Sequence, residues 1–241
     1  MISPSIRSEL APTGKLRVGI NYGNPVLATR DPSGELHGVA VDLARELARR
    51  VGVAVELVGY ESAGKMFEAV KAGSWDAAFL AVDPGRAGEI SFTAPYIEIE
   101  GTYLVPAGSP LRAIADVDRD GVRIAVSAKS AYDLFLSRTV KKAQLVRAPD
   151  PNASFELLVA GKADVVAGVR QPLVTNADKL PGSRVLDGRF MAIGQALGIP
   201  RGRAAGAKYL QEFIEDVKAS GFVARAIERA GVRGVSVAPA A

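Results

Sequence analysis

The sequence predicts an α/β protein built as two lobes of similar design. One observation is local: glycine and proline cut the chain into short apolar runs that alternate with stretches of helical period. Strands alternating with helices imply parallel sheets joined by right-handed crossovers. The other is a repeat. "FEAVKAGSWDAAFLAVDP" at 67–84 lies over "FELLVAGKADVVAGVRQP" at 155–172 without a gap, matching Phe67 with Phe155, Glu68 with Glu156, Gly73 with Gly161, Asp76 with Asp164 and Pro84 with Pro172. The alternative is a single doubly wound sheet in which this likeness is accidental, since Ala-Gly-x-x-Asp is a common link from helix to strand.

The elements follow in order. "LRVGI" (16–20) is a strand. In "VAVDLARELARRVG", Val39, Leu43, Leu47 and Val51 form one apolar face opposite Arg and Glu, and Gly52 is placed to end the helix. "VAVELV" (53–58) is a strand, "SAGKMFEAVKAG" a helix running from Ser62 as N-cap to Gly73 as C-cap, and "DAAFLAV" (76–82) a third strand. The second lobe repeats this order with "VRIAV" (122–126), "SAYDLFLSRTV", "AQLVR" (143–147), "ASFELLVAG" and "DVVAGV" (164–169). "EGTYLVPAGSPL" (100–111) reads as a strand leaving the first lobe, and "RFMAIGQALGIP" (189–200) as the return. Two closing helices part at Ser220-Gly221, the first with a core-facing stripe of Leu210, Phe213, Ile214 and Val217. The expected division is therefore 1–104 with 194–241, and 105–193.

Composition narrows the function. Of 241 residues, 48% are hydrophobic and 23% charged, which describes a globular chain, and no apolar run is long enough to span a bilayer. With no cysteine there are no disulfides, thiolate nucleophiles or Cys-ligated metals. The single histidine, His37, lies in the loop-like "RDPSGELHG", so no His-His or His-carboxylate metal spacing is expected, and neither a zinc enzyme nor a Ser-His-Asp hydrolase. The net charge of +4 is spread along the chain, which favours small anions over nucleic acid. "MISPSIRSEL" has no apolar h-region and is no signal peptide. Either an export signal has been removed or the protein stays inside the cell.

Ligands of open α/β sheets bind beyond the carboxyl ends of the strands. There the first lobe presents Asp83-Pro84-Gly85-Arg86 and the second Arg170-Gln171-Pro172. Two such tips facing each other would form a cleft. Arg86 is then either a clamp for an anion or an incidental arginine on a surface turn.

Taken together, "GKLRVGI", "GELHGVAVDLARELARRVG", "KAGSWDAAF", "DPGRAGEISFTAPY" and "LQEFIEDVKASGFVARAIERAG" resemble, in order and spacing, the type II periplasmic solute-binding proteins of ABC importers, specifically solute-binding protein family 3. The resemblance covers nearly the whole chain. It implies two Rossmann-like lobes joined by a two-strand hinge and closing over a small solute. It places the family's carboxylate-holding arginine on Arg86, where a planar guanidinium matches a carboxylate with two donors. It places a Ser or Thr at a helix start on Ser130, which either helps hold the same carboxylate or only caps its helix. Lys129 stands where a glycine is usual; it adds charge at the cleft or points to solvent.

The departure lies after "ADVVAGV". Many amino-acid binders of this family carry an aspartate there for the ligand's ammonium; this chain has Val169, followed by Arg170 and Gln171. An enclosed ammonium without a counter-charge costs several kcal/mol, unless Asp83, Glu61 or Glu98 replaces the aspartate. The expected ligand is thus an organic acid or an atypically bound amino acid. Asn21, Tyr22 and Asn24 supply further contacts or form a turn built by Gly23 and Pro25, Gln195 faces the cleft from the return crossing, Tyr96 is a wall and Trp75 is packing. The expected protein is the non-enzymatic binding component of an ABC importer: a periplasmic monomer working with a permease, with no cofactor, metal, nucleic acid or membrane insertion. The alternatives are a lyase like cyclohexadienyl dehydratase on the same scaffold, and an intracellular ligand sensor.

Overall fold

A computed structural model describes residues 2–241. The chain divides into two compact units, Met1–Glu98 with Gly194–Ala241, and Ile99–Ile193. One boundary lies at residue 194. The other lies between 98 and 99, within one continuous strand, Ile97–Val105.

The first unit opens with α1 (Pro4–Leu10), β1 (Lys15–Asn21) and a hairpin of β2 (Thr29–Arg30) and β3 (Leu36–His37). Next come α2 (Val39–Val51), β4 (Ala54–Tyr60), α3 (Ala63–Glu68), β5 (Ala77–Ala81), β6 (Ile90–Phe92) and the start of β7 (Ile97–Val105). β1 pairs in parallel with both β4 and β5. The four apolar positions read on α2 are all buried, and Gly52 ends that helix in the left-handed region, its N–H bonded to the Ala48 carbonyl. Each such side chain contributes about 1.5–3 kcal/mol by leaving water.

α3 is shorter than its sequence suggests, ending at Ala69 instead of Gly73. The cause is Trp75, which is fully buried and donates its indole N–H to the Met66 carbonyl at 2.9 Å. That carbonyl is the α-helical acceptor for Val70, whose N–H bonds Phe67 instead at 3.2 Å. The ladder is diverted and the chain turns through Gly73 at φ +62°.

The second unit holds β8 (Arg123–Ser127), α4 (Ala131–Thr139), β9 (Gln144–Ala148), α5 (Pro151–Val159), β10 (Val165–Val169), α6 (Arg170–Ala177), β11 (Arg184–Val185) and the start of β12 (Met191–Pro200). β8 pairs in parallel with β9 and β10, and β10 lies antiparallel to β7. Its core gathers Leu104, Ala125, Phe155, Leu158, Val166 and Leu173. Arg170, Gln171 and Pro172, expected as the polar tail of a strand, form the first turn of α6 instead. Proline is tolerated there because the first-turn N–H groups have no helical partner.

Back in the first unit, β12 runs antiparallel to β5 and β6. Then come α7 (Ala204–Ala219), α8 (Phe222–Arg229) and β13 (Ser236–Val237), which pairs with Ile97 and Glu98 of β7. The predicted stripe on α7 is buried throughout.

The repeat holds at the level of atoms. Asp76 accepts from the backbone N–H of Arg17 on β1 at 3.2 Å and from its Nε at 2.9 Å. Asp164 accepts from the N–H of Arg123 on β8 at 2.8 Å and from its Nε at 3.0 Å. Each arginine also reaches the carbonyl of the matching glycine, Gly73 or Gly161. One carboxylate thus ties the start of the third strand to the first strand in both units.

Candidate functional site

In the first unit the neighbouring strands β1 and β5 deliver their carboxyl ends side by side. Asn21, Tyr22 and Asn24 leave β1; Asp83 and Arg86 leave β5; Gln195 on β12 stands opposite Ala81, the last residue of β5. Arg86 has no exposed surface, which removes the surface-turn alternative. Its Nη1 donates to the Ala81 carbonyl at 2.9 Å, and its guanidinium carbon lies 5.9 Å from the centre of the Phe67 ring. Burial pulls its pKa down to about 10 while the charge of Asp83 opposes the fall, so the group is cationic at neutral pH.

The loop that carries Arg86 is built by its own polar groups. Asp83 Oδ1 accepts the Gly85 N–H at 2.7 Å, and its carbonyl accepts the Arg86 N–H at 3.0 Å. The Arg86 carbonyl then accepts the N–H groups of Glu89 and Ile90, both at 3.1 Å. Asp83, only 2% exposed, is therefore a turn former and a counter-charge together.

The β1 exit loop is organised in the same way. Asn21 Oδ1 accepts the Gly23 N–H at 3.0 Å, and Asn24 Oδ1 accepts that of Val26 at 3.3 Å. Both asparagines thus build the turn. The Tyr22 ring faces the Arg30 guanidinium, whose carbon lies 5.4 Å from the ring centre. Gln195 is buried, and its carbonyl receives the Tyr96 N–H at 2.8 Å. Tyr96 is fully buried against Phe79, its hydroxyl unpartnered among the described residues. Glu98 is exposed on β7 beside Ser236, and Glu61 is exposed and paired with Lys65.

In the second unit the adjacent strands β8 and β10 end at Ser127–Ser130 and Val169–Gln171. Ser130 caps α4, its Oγ accepting the Asp133 N–H at 3.1 Å. The buried Tyr132 hydroxyl is hydrogen-bonded with Ser130 and Ser127; burial, partly offset by these bonds, pushes its pKa up to about 12. Lys129 takes φ +58°, left-handed backbone for a residue with a side chain, and its N–H donates to Asp133 Oδ2 at 2.8 Å. Asp133 also accepts from Arg147 Nε at 3.0 Å.

Arg170 corrects an expectation. It is not a bare cation at the strand end: its Nε donates to Glu100 Oε2 at 2.6 Å, and its Nη2 to the Gly188 carbonyl. Arg189 reaches the other oxygen of Glu100 at 3.4 Å. Glu100 escaped sequence reading because its partners lie about seventy and ninety residues further on: the pairing of β10 with β7 brings in Arg170, and the Phe190 N–H on the Gly101 carbonyl brings in Arg189. Val169 is buried and carries no charge at the position where an acid was looked for. Gln171, half-buried, sits in the first turn of α6.

His37 corrects another. The hairpin register pairs Thr29 with His37, and the turn brings the imidazole Nε2 to 3.1 Å from Asp31 Oδ2. A His-carboxylate grouping therefore does exist, joined by Glu35. No helix among the described residues is long and apolar enough to cross a membrane.

This arrangement of strands and helices is the type II periplasmic binding protein fold. The solute receptor for L-cysteine of Neisseria gonorrhoeae superposes with a TM-score of 0.81 at 22% identity, covering 95% of this chain and 93% of that one. The ancestral amino acid-binding protein AncCDT-1, a precursor of cyclohexadienyl dehydratase, gives a TM-score of 0.77 at 22% identity over 92% of this chain and 97% of its own. In sequence, the L-arginine-binding protein of Pseudomonas aeruginosa is 24% identical over 218 residues, 86% of this chain and 83% of that protein. Residues 16–231 match the bacterial extracellular solute-binding proteins, family 3, and the chain belongs to that family.

Proposed function

We propose that the protein is the substrate-binding component of an ABC importer, working outside the cytoplasmic membrane with a permease. In this reading it binds a small carboxylate-bearing solute between two lobes, 1–98 with 194–241 and 99–193. The observation that carries it is Arg86: a guanidinium that stays charged although fully buried, at the carboxyl end of β5, in a chain of this family. Its fork receives the solute carboxylate, helped by Ser130 and the start of α4. Asn21, Tyr22, Asn24, Gln195, Lys129 and Gln171 line the remainder.

Two of the relatives named above bind arginine or cysteine by their descriptions, but Val169 supplies no counter-charge for an α-ammonium, and the carboxylate of Glu100 is shared by Arg170 and Arg189. The solute is therefore an organic acid, or an amino acid held by its carboxylate and side chain. Binding without turnover is the function; the likeness to a dehydratase precursor is the reason to include prephenate and arogenate among the compounds tested.

The test is a thermal-shift screen of the full chain with amino acids, dicarboxylates and aromatic acids, since any ligand of the folded state raises Tm. Hits are then titrated against Arg86→Lys and Arg86→Ala. Losing a charge-assisted hydrogen bond of about 1.5–3 kcal/mol weakens binding about 10- to 150-fold. A folded Arg86→Ala variant that keeps full affinity for every hit overturns the clamp. Release of carbon dioxide and water from prephenate would replace the binding role with the lyase.

A further inference from the structure

The β2–β3 hairpin gathers three metal-ligating side chains that solute binding does not use. Its turn is closed by Asp31 N–H to the Glu35 carbonyl and Gly34 N–H to the Asp31 carbonyl, both at 2.9 Å, with Gly34 at φ +90°. This folds Asp31 back over the residues that follow. One ligand atom each from Asp31, Glu35 and His37 then lies within 4.8 Å of the others.

The spacing suits a small divalent ion. Zinc bonds to nitrogen and oxygen are about 2.0–2.1 Å, so neighbouring donors around a tetrahedral ion stand about 3.3 Å apart. Asp31 Oδ2 and His37 Nε2 are hydrogen-bonded at 3.1 Å, close to the length of one edge of that tetrahedron once zinc takes the place of the proton between them. Asp31 is aimed by its other oxygen, which accepts from Ser33 Oγ at 2.6 Å and the Glu35 N–H at 2.9 Å. Such outer hydrogen bonds orient a ligand. Glu35 is exposed and, among the described residues, its carboxylate is paired with Arg45 at 3.3 Å, so it can swing to close the third position. Glu35 and His37 are exposed and Asp31 is half-exposed, so with three protein ligands the fourth tetrahedral position is left to water.

We propose that Asp31, Glu35 and His37 form a zinc-type divalent-metal site with an open position for water. The site is carried entirely by the first unit and is independent of Arg86. The test uses the full chain stripped with a chelator and titrated calorimetrically with zinc chloride alone. The expected result is one zinc per chain, with a rise in Tm, and a loss of affinity of at least about 10-fold in His37→Ala and in Asp31→Asn. Arg86→Lys binds zinc as the parent does. His37 and Glu35 are exposed and Asp31 is half-exposed, on a surface hairpin, and circular dichroism checks that each variant is folded. Absence of saturable binding, affinity unchanged in His37→Ala, or one zinc per two chains would each overturn the site.

Discussion

The paired forks allow one substitution to be weighed against its twin. Asp76 has no exposed side-chain surface and accepts from Arg17 at three atoms and from Arg203 Nη1 at 3.2 Å. Asp76→Asn keeps the shape but leaves two guanidinium groups, 23% and 25% exposed, without their anion. Breaking a buried pair costs about 3–5 kcal/mol, and the partial exposure of both arginines puts this case near ~3. Asp164 makes the same fork with Arg123, but the two side chains are 41% and 40% exposed. Water replaces much of what Asp164→Asn removes, so the loss is below about 1 kcal/mol. For a chain of this length, 1 kcal/mol corresponds to about 2–4 °C, so Tm should fall by about 6–12 °C in the first variant and by less than about 4 °C in the second. Circular dichroism melts of both, at neutral pH and without ligand, provide the comparison. Equal losses, or a larger one at Asp164, would refute the claim that burial strengthens these forks.

Lys129→Gly should stabilise the second unit by about 0.5–1 kcal/mol, because left-handed strain of about 1–2 kcal/mol exceeds the entropic cost of glycine; urea melts read the difference. Tyr96→Phe removes a buried hydroxyl that lacks a partner among the described residues and should raise stability by about 1 kcal/mol. A loss there would reveal a partner for that oxygen. Arg49, then Arg50, hold the Glu46 carboxyl at about 2, below its ordinary 4.5. A depressed folded-state value means stability that is present above pH ~4.5 and is lost as pH falls toward ~2. Glu46→Gln should therefore cost about 1 kcal/mol at pH 7 and flatten the acid limb of the pH-stability curve.

Local chemistry made much of the fold legible. The four-residue spacing of Val39, Leu43, Leu47 and Val51 and the glycine after them define α2 without reference to anything distant. The gapless repeat foretold two lobes, and Asp76 and Asp164 as strand-start residues, because each unit must solve the same packing problem. Reading failed where a distant group intervened. Trp75 captured a helix carbonyl and cut α3 short. The stretch after β10 matched the arginine loop after β5 in alignment, yet it continues as a helix.

The candidate site divides along the same line. Sequence alone determined which residues stand at the carboxyl ends of the strands, since strand order and loop position follow from periodicity and turn chemistry. It also determined that Val169 brings no charge. Only the tertiary structure decided the state of the charges: Arg86 buried against a carbonyl and an aromatic ring, Arg170 neutralised by Glu100, and His37 folded onto Asp31. Electrostatic energy depends on distance and on exclusion of water, and neither is a property of neighbours in sequence. A charged residue can be placed from the chain; what it faces is set by the fold.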